Sequence, residues 1–153
     1  METVMKPPVN IDALMEEWSK DSKVDETEPG RELAKISSLH AKYLRILTHH
    51  SLSSKKLSND YLKMKKIKWE YYSGDLNNPE DLQKYNLQPM MKKVLRQDIP
   101  MYLDSDTELN EILIKKMLHQ EVVDFCGSVL KELNNRTFQM NNLIKWEMFT
   151  SGG

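Results

Sequence analysis

Six lysines, Lys55, Lys56, Lys63, Lys65, Lys66 and Lys68, stand against two acids, Asp60 and Glu70, in the stretch from Lys55 to Tyr72, which carries Trp69, Tyr71 and Tyr72 at its end. Ammonium groups neutralise phosphate and a flat aromatic face receives a splayed-out base, so this pairing suits an unpaired nucleic-acid strand. Lys63 and Lys66 lie three apart, and like charges at that spacing destabilise a helix by roughly 0.2–0.5 kcal/mol per pair, a cost that a polyphosphate relieves. A base stacked on Trp69, Tyr71 or Tyr72 would add about 1–3 kcal/mol. The other reading of these residues is a solvated basic face with the aromatics turned into a core.

No residue pattern points to catalysis. His40, His49, His50 and His119 show no metal-ligand spacing with acids or with Cys126, and His40 and His50 fit more simply as polar members of a helical seam. A phosphate-binding glycine loop is missing, which argues against nucleotide hydrolysis. Cys126 is the single cysteine, so an intrachain disulfide is impossible, and its place in the run Val122, Val123, Asp124, Phe125, Cys126 reads as a buried thiol. No cofactor and no metal is expected. The chain shows no signal-peptide pattern and no apolar run long enough for a membrane span.

The whole-chain charge of −1 hides a segregation of sign. Residues 1–30 hold three lysines against eight acids, residues 31–72 ten basic against three acidic, residues 73–108 four against seven, and residues 109–153 five of each. Such asymmetry suggests a polyanion partner for the basic block and an interaction or shielding role for the acidic segment. With 39% apolar and 29% charged residues in 153, the chain favours elongated helices that bury apolar faces against other copies over a compact globule with a deep core.

The elements that must position these groups follow from spacing. Asn10 can cap a short helix with Ile11, Leu14, Met15 and Trp18 on one stripe, and the acidic stretch to Gly30 reads as a linker that leaves this helix free to dock elsewhere, a mobile acidic arm over residues 1–30. A long helix begins near Arg31 and meets no Pro or Gly until Gly74. Its positions Leu33, Ile36, His40, Tyr43, Leu47, His50, Ser54, Leu57, Tyr61, Met64, Lys68 and Tyr71 alternate steps of three and four, a heptad seam suited to antiparallel helix packing. Ser51, Ser53, Ser54 and Ser58 weaken it, which predicts a kink or break near residues 50–55. Asp75–Asp81 reads as an exposed turn. Pro89 suits the first turn of a further helix carrying Met90, Met91, Val94 and Leu95, with Lys92, Lys93 and Arg96 projecting to extend a phosphate track or simply to meet solvent.

Pro100 should end that helix, and Ser105 with Glu108 makes a capping box for the next. There Leu109, Ile112, Leu113, Met117, Val122, Phe125, Val129, Leu130 and Leu133 occupy more than one face, and a helix apolar on several sides must be surrounded. Neighbouring subunits are the most economical cover, so residues 105–150 are assigned to oligomerisation. Asn134 and Asn135 read as a stop, and Thr137 as the cap of a final helix with Met140, Leu143, Ile144 and Met148 as its stripe.

Three segments carry a resemblance. Lys63–Gly74, reading KMKKIKWEYYSG, then Met91–Leu95 (MKKVL) and Asp124–Ser128 (DFCGS), resemble in order and spacing the corresponding stretches of the UvsY-type recombination mediators of T-even-like phages. The closing segment from Asn135 is similar as well, so the likeness runs from about Ser38 to the end, while the first 30 residues do not align. The resemblance implies an all-α, non-enzymatic protein that binds single-stranded DNA and assembles through its C-terminal part into a ring-like homo-oligomer, a hexamer or heptamer. It further implies contacts with a phage recombinase and with the single-strand-binding protein, in the cytoplasm of an infected bacterium. Lys66 and Lys68 match two basic positions implicated in strand binding.

These readings define three segments: an acidic arm over 1–30, a basic DNA-binding region over 31–104 and an oligomerisation region over 105–153. The strand-contacting set is Lys63, Lys65, Lys66, Lys68, Trp69, Tyr71, Tyr72, Lys92 and Lys93. Two other classes fit segregated charge on a helical chain: a ring that binds duplex DNA, as viral packaging-recognition subunits do, and a scaffold that binds only proteins. The first usually presents a recognition helix after a short turn near the N-terminus, and no such pair stands there.

Overall fold

The structure, a computed structural model, describes residues 10–152, so the first nine residues of the acidic segment and Gly153 lie outside it. Among the described residues there are helices and no strand, the all-α class expected. In chain order they are α1 (Ile11–Asp21), α2 (Pro29–Ser73), α3 (Pro79–Lys84), a single 3-10 turn (Arg96–Asp98), α4 (Ile99–Asp104) and α5 (Thr107–Thr150). The chain forms two compact units, one taking in residues up to Leu52 and from Leu118 onward, the other Ser53–Met117. These limits differ from the divisions at residues 30 and 104 read from charge and from the apolar pattern, because the two long helices each contribute to both units.

The 45 residues of α2 form one helix without the break expected near residues 50–55. The serines are accommodated within it: the Ser58 hydroxyl donates to the Ser54 carbonyl at 3.2 Å and Ser54 itself is buried. Packing therefore overrides weak intrinsic propensity. All twelve seam positions from Leu33 to Tyr71 are buried or half-buried, so the heptad reading of α2 holds along its length. Gly74, at φ 85°, carries the chain out of the helix in the left-handed region that suits glycine.

In the first unit the core is Tyr43, Val122, Cys126, Val129 and Leu133. Ile11, Leu14 and Trp18 of α1 pack against it, which corrects the expectation of a free arm. Asn10 does cap α1, accepting from the Ala13 N–H at 3.1 Å. The acids of this helix then find cations on α2: the Lys42 ammonium lies 2.6 Å from both Glu17 and Asp21, and the Tyr43 hydroxyl donates to Asp21 at 2.9 Å. Trp18 meets Tyr43 edge to face at 5.2 Å between ring centres, and the Arg136 guanidinium lies 5.7 Å from the Trp18 ring. Apolar contact plus charge pairing thus holds as a docked helix what composition alone marks as an arm.

The stop expected at Asn134 and Asn135 is absent, for α5 runs on to Thr150. Val122, Cys126, Val129, Leu133, Arg136 and Met140 recur at steps of four and three on one buried face, and this packing carries the helix through the asparagines. Thr137 caps nothing; its hydroxyl donates back to the Leu133 carbonyl at 3.3 Å.

The second unit is centred on Ile99, Leu103 and Leu109, with Tyr61, Met64, Tyr72 and Val94 packed around them. The turn expected at Asp75–Asp81 contains α3, begun by Pro79 and capped by Asn78, which accepts from the Glu80 N–H at 3.0 Å. No helix forms over residues 89–95. Met91 is 94% exposed and Leu95 55%, so only Met90 and Val94 of that apolar stripe find cover, too little to hold a short helix. Pro100 sits in the first turn of α4 and does not end a helix, as its missing N–H and fixed φ favour. The cap of α5 is Asp106, accepting from the Leu109 N–H at 3.0 Å. Ser105 instead donates to the Met101 carbonyl at 2.9 Å, so the expected capping box does not form.

Candidate nucleic-acid interface

The basic stretch of α2 divides into two kinds of lysine. Lys55, Lys56, Lys63, Lys65 and Lys66 are exposed, with the Lys65 ammonium 5.8 Å from the Tyr61 ring. Lys68 is 5% exposed and its ammonium lies 3.1 Å from Asp106 and 3.6 Å from Glu108. The reason is positional: Lys68 occupies the seam, where a cation must be buried and must therefore meet an acid. As a phosphate contact it is corrected to a structural ion pair.

Asp106 is the hub of this arrangement. Burial alone raises its pKa, but the Tyr72 hydroxyl donating at 2.6 Å, the Leu109 N–H and the Lys68 ammonium together outweigh that and hold the carboxyl below its ordinary value. The Tyr72 phenol is pushed the other way, chiefly by burial and by its bond to Asp106. Its ring lies 5.4 Å from that of Tyr102 and 5.2 Å from that of Tyr71. Tyr72 is thus half-buried against the core of its unit, its hydroxyl engaged by Asp106 and its ring by two other tyrosines. Tyr71 is half-buried and donates to the Gln88 carbonyl at 2.5 Å, tying the segment after α3 back to α2. Trp69 keeps 39% of its surface exposed.

Two grooves lie beside these aromatics. One, of about 400 Å³, is lined by Trp69, Ser73, Asp75, Lys93, Val94, Leu95, Arg96 and Ile99. The other, of about 350 Å³, is lined among others by Tyr71, Met90, Met91, Lys92 and Lys93. The fold therefore brings Trp69, Tyr71, Lys92 and Lys93 together, although Lys92 and Lys93 reach the site from an irregular segment and not from a helix. Lys63, Lys65 and Lys66 stand on the exposed surface of α2 without lining either groove. Sequence reasoning missed Asp106 and Glu108 as partners of Lys68, yet the signal was present, since a lysine at a heptad core position calls for a buried acid.

The residues assigned to oligomerisation also divide. Leu109 lies in the core of the second unit, and Val122, Val129 and Leu133 in that of the first, with Phe125 and Leu130 packed against it. Leu109, Val122, Val129 and Leu133 are already covered within the chain, which corrects their assignment as contacts between subunits, while Phe125 and Leu130 are half-buried. Ile112 is half-buried, and Leu113 and Met117 are exposed. The large apolar groups left uncovered in the last turns of α5 are Phe138, Trp146, Met148 and Phe149, at 63–78% exposure. Among the described residues no group of three or more metal-ligating side chains gathers, and no helix is long and apolar enough to cross a membrane.

The family model for UvsY, described as a recombination, repair and single-stranded-DNA-binding protein, matches residues 17–153. The chain belongs to the UvsY family. The match reaches into α1, beyond the segment from Ser38 over which the motifs alone aligned. The UvsY family is one of DNA-binding proteins that are not enzymes. Crystal structures of the recombination mediator protein UvsY of bacteriophage T4 share the fold: one is 20% identical with a TM-score of 0.79, covering 93% of this chain and 98% of that one. A second lattice form gives 20% identity and a TM-score of 0.77 over 90% of this chain and 98% of the other, and a third gives 19% and 0.76 over 92% and 98%. No curated protein sequence matches the chain.

Proposed function

We propose that this UvsY-family protein is a recombination mediator that binds and wraps single-stranded DNA and promotes loading of a phage recombinase onto strands covered by single-strand-binding protein, in the cytoplasm of the infected cell. The observation that carries this reading is the exposure of Lys63 and Lys66 on one flank of α2 and of Lys65 on another, in the same unit as the grooves lined by Trp69, Tyr71, Lys92 and Lys93. These ammonium groups sit on the surface without acidic partners among the described residues, in contrast to Lys68. Counterion release then supplies most of the binding free energy, with each lysine a modest contributor.

Avidity supplies the rest. The uncovered Phe138, Trp146, Met148 and Phe149 form an apolar surface suited to burial against further copies, in a ring of the hexamer or heptamer kind. A ring repeats these exposed lysines, so weak single sites combine on one strand. A strand held in that shape is a poorer substrate for the single-strand-binding protein and a better one for recombinase nucleation.

The experiment is binding of single-stranded and duplex oligonucleotides of equal length at two salt concentrations, with light scattering on the same samples. The reading expects a multi-subunit assembly that prefers the single strand and weakens steeply with salt. A preference for duplex would favour a packaging-type ring, and salt-independent indifference to both a protein scaffold.

A further inference from the structure

We infer that the groove beside Trp69 is a socket for one unstacked nucleotide, its base laid against Trp69 and a phosphate held by Lys93 and Arg96. This rests on the strand-binding reading and adds to it the place where a base is gripped, with Arg96 and Asp75 as parts of the grip.

Trp69 comes from α2, while Lys93 and Arg96 come from the irregular segment and the 3-10 turn, so the socket exists only in the folded unit. Its volume of about 400 Å³ falls in the range of sites that take small molecules, roughly 300–1,000 Å³, enough for one nucleotide. Neither Lys93 nor Arg96 makes an ion pair among the described residues, so both cations remain available for phosphate. Asp75 stands in the same groove and receives the Ser73 hydroxyl at 3.2 Å. Its carboxylate repels phosphate and accepts the imino or exocyclic N–H of a base, which orients the nucleotide with its backbone toward Lys93 and Arg96. A stacked duplex cannot present a base this way, whereas an unpaired strand can.

The test compares oligo-dT with an abasic deoxyribose-phosphate oligomer of the same length, on the full chain and on Trp69→Ala and Trp69→Phe. The expected result is that the wild type binds oligo-dT about tenfold more tightly than the abasic strand. Trp69→Ala should abolish that difference while leaving abasic affinity and the salt dependence unchanged, and Trp69→Phe should keep most of it. Oligo-dT should also quench indole emission in the wild type more than in Trp69→Phe. Equal oligo-dT affinity in the wild type and Trp69→Ala, or quenching unchanged in Trp69→Phe, overturns the socket. The emission comparison decides alone if circular dichroism shows Trp69→Ala to be misfolded. Failure of the wild type to bind either strand is a separate outcome that removes the strand-binding reading itself.

Discussion

At the scale of single residues, Lys66 and Lys68 are two positions apart and do opposite things. Lys66 is exposed, and Lys66→Ala should lower single-strand affinity and reduce the slope of log K against log salt by about 0.7, with thermal unfolding unchanged. Lys68→Ala removes one half of a pair whose side chains are 7% and 3% exposed, and should cost about 3 kcal/mol in urea unfolding before any effect on DNA is seen. Asp106 gives a second readout. Its carboxyl is held below the ordinary value near 3.8, so the stability it contributes is present above that pH and lost as pH falls through the folded pKa. Acid unfolding should therefore be less steep below pH 4 in Asp106→Asn, which keeps the helix cap but removes the charge. The basic cluster was legible from the chain because counting lysines needs no fold. Which lysine faces inward was not, because charge density is blind to the acids that arrive forty residues later.

The elements show the same division between local and non-local information. The seam of α2 was readable from Arg31 onward, since periodicity and the absence of Pro and Gly up to Gly74 are local properties, but its continuity through residues 50–55 was not, because it rests on the packing of Ser54. The docking of α1 was not, because it depends on Lys42 and on Tyr43, Val122 and Leu133, which composition does not bring together. Nor was the missing helix at 89–95, where Met91 and Leu95 stay exposed. One contact between the long helices in the first unit carries a pH dependence. His50 Nδ1 lies 2.8 Å from His119 Nδ1, and burial first, then His119 and His49, lower the pKa of His50 from its ordinary 6.5. A base whose folded pKa is depressed takes up more protons unfolded, so stability rises with pH across this range and is lost as pH falls from above 6.5. His50→Gln should flatten the dependence of the melting temperature between pH 7 and 5. Cys126, wholly buried with its thiol pushed up to about 11, should react with a thiol reagent only after denaturation.

For the whole molecule, the apolar residues of α5 sort into those that build the chain and those left over. Leu133→Ala should destabilise each subunit by about 2–5 kcal/mol. Trp146→Asp with Phe149→Asp should instead reduce the mass seen by light scattering while helix content and melting temperature stay the same. A densely apolar helix announces in its sequence that something must cover it, but one chain cannot say how much of the cover is its own. Met91 gives the molecule a built-in chemical reporter. At 94% exposure its thioether is the most open to peroxide among the described methionines, ahead of Met148 and Met101 at 64% and 63%, while that of Met140, at 7%, is shielded, so of these mild oxidation should convert Met91 to the sulfoxide first. Because Met91 borders the groove that also holds Lys92 and Lys93, mass spectrometry of that one sulfur, with and without an oligonucleotide, would trace the path of the strand across this surface.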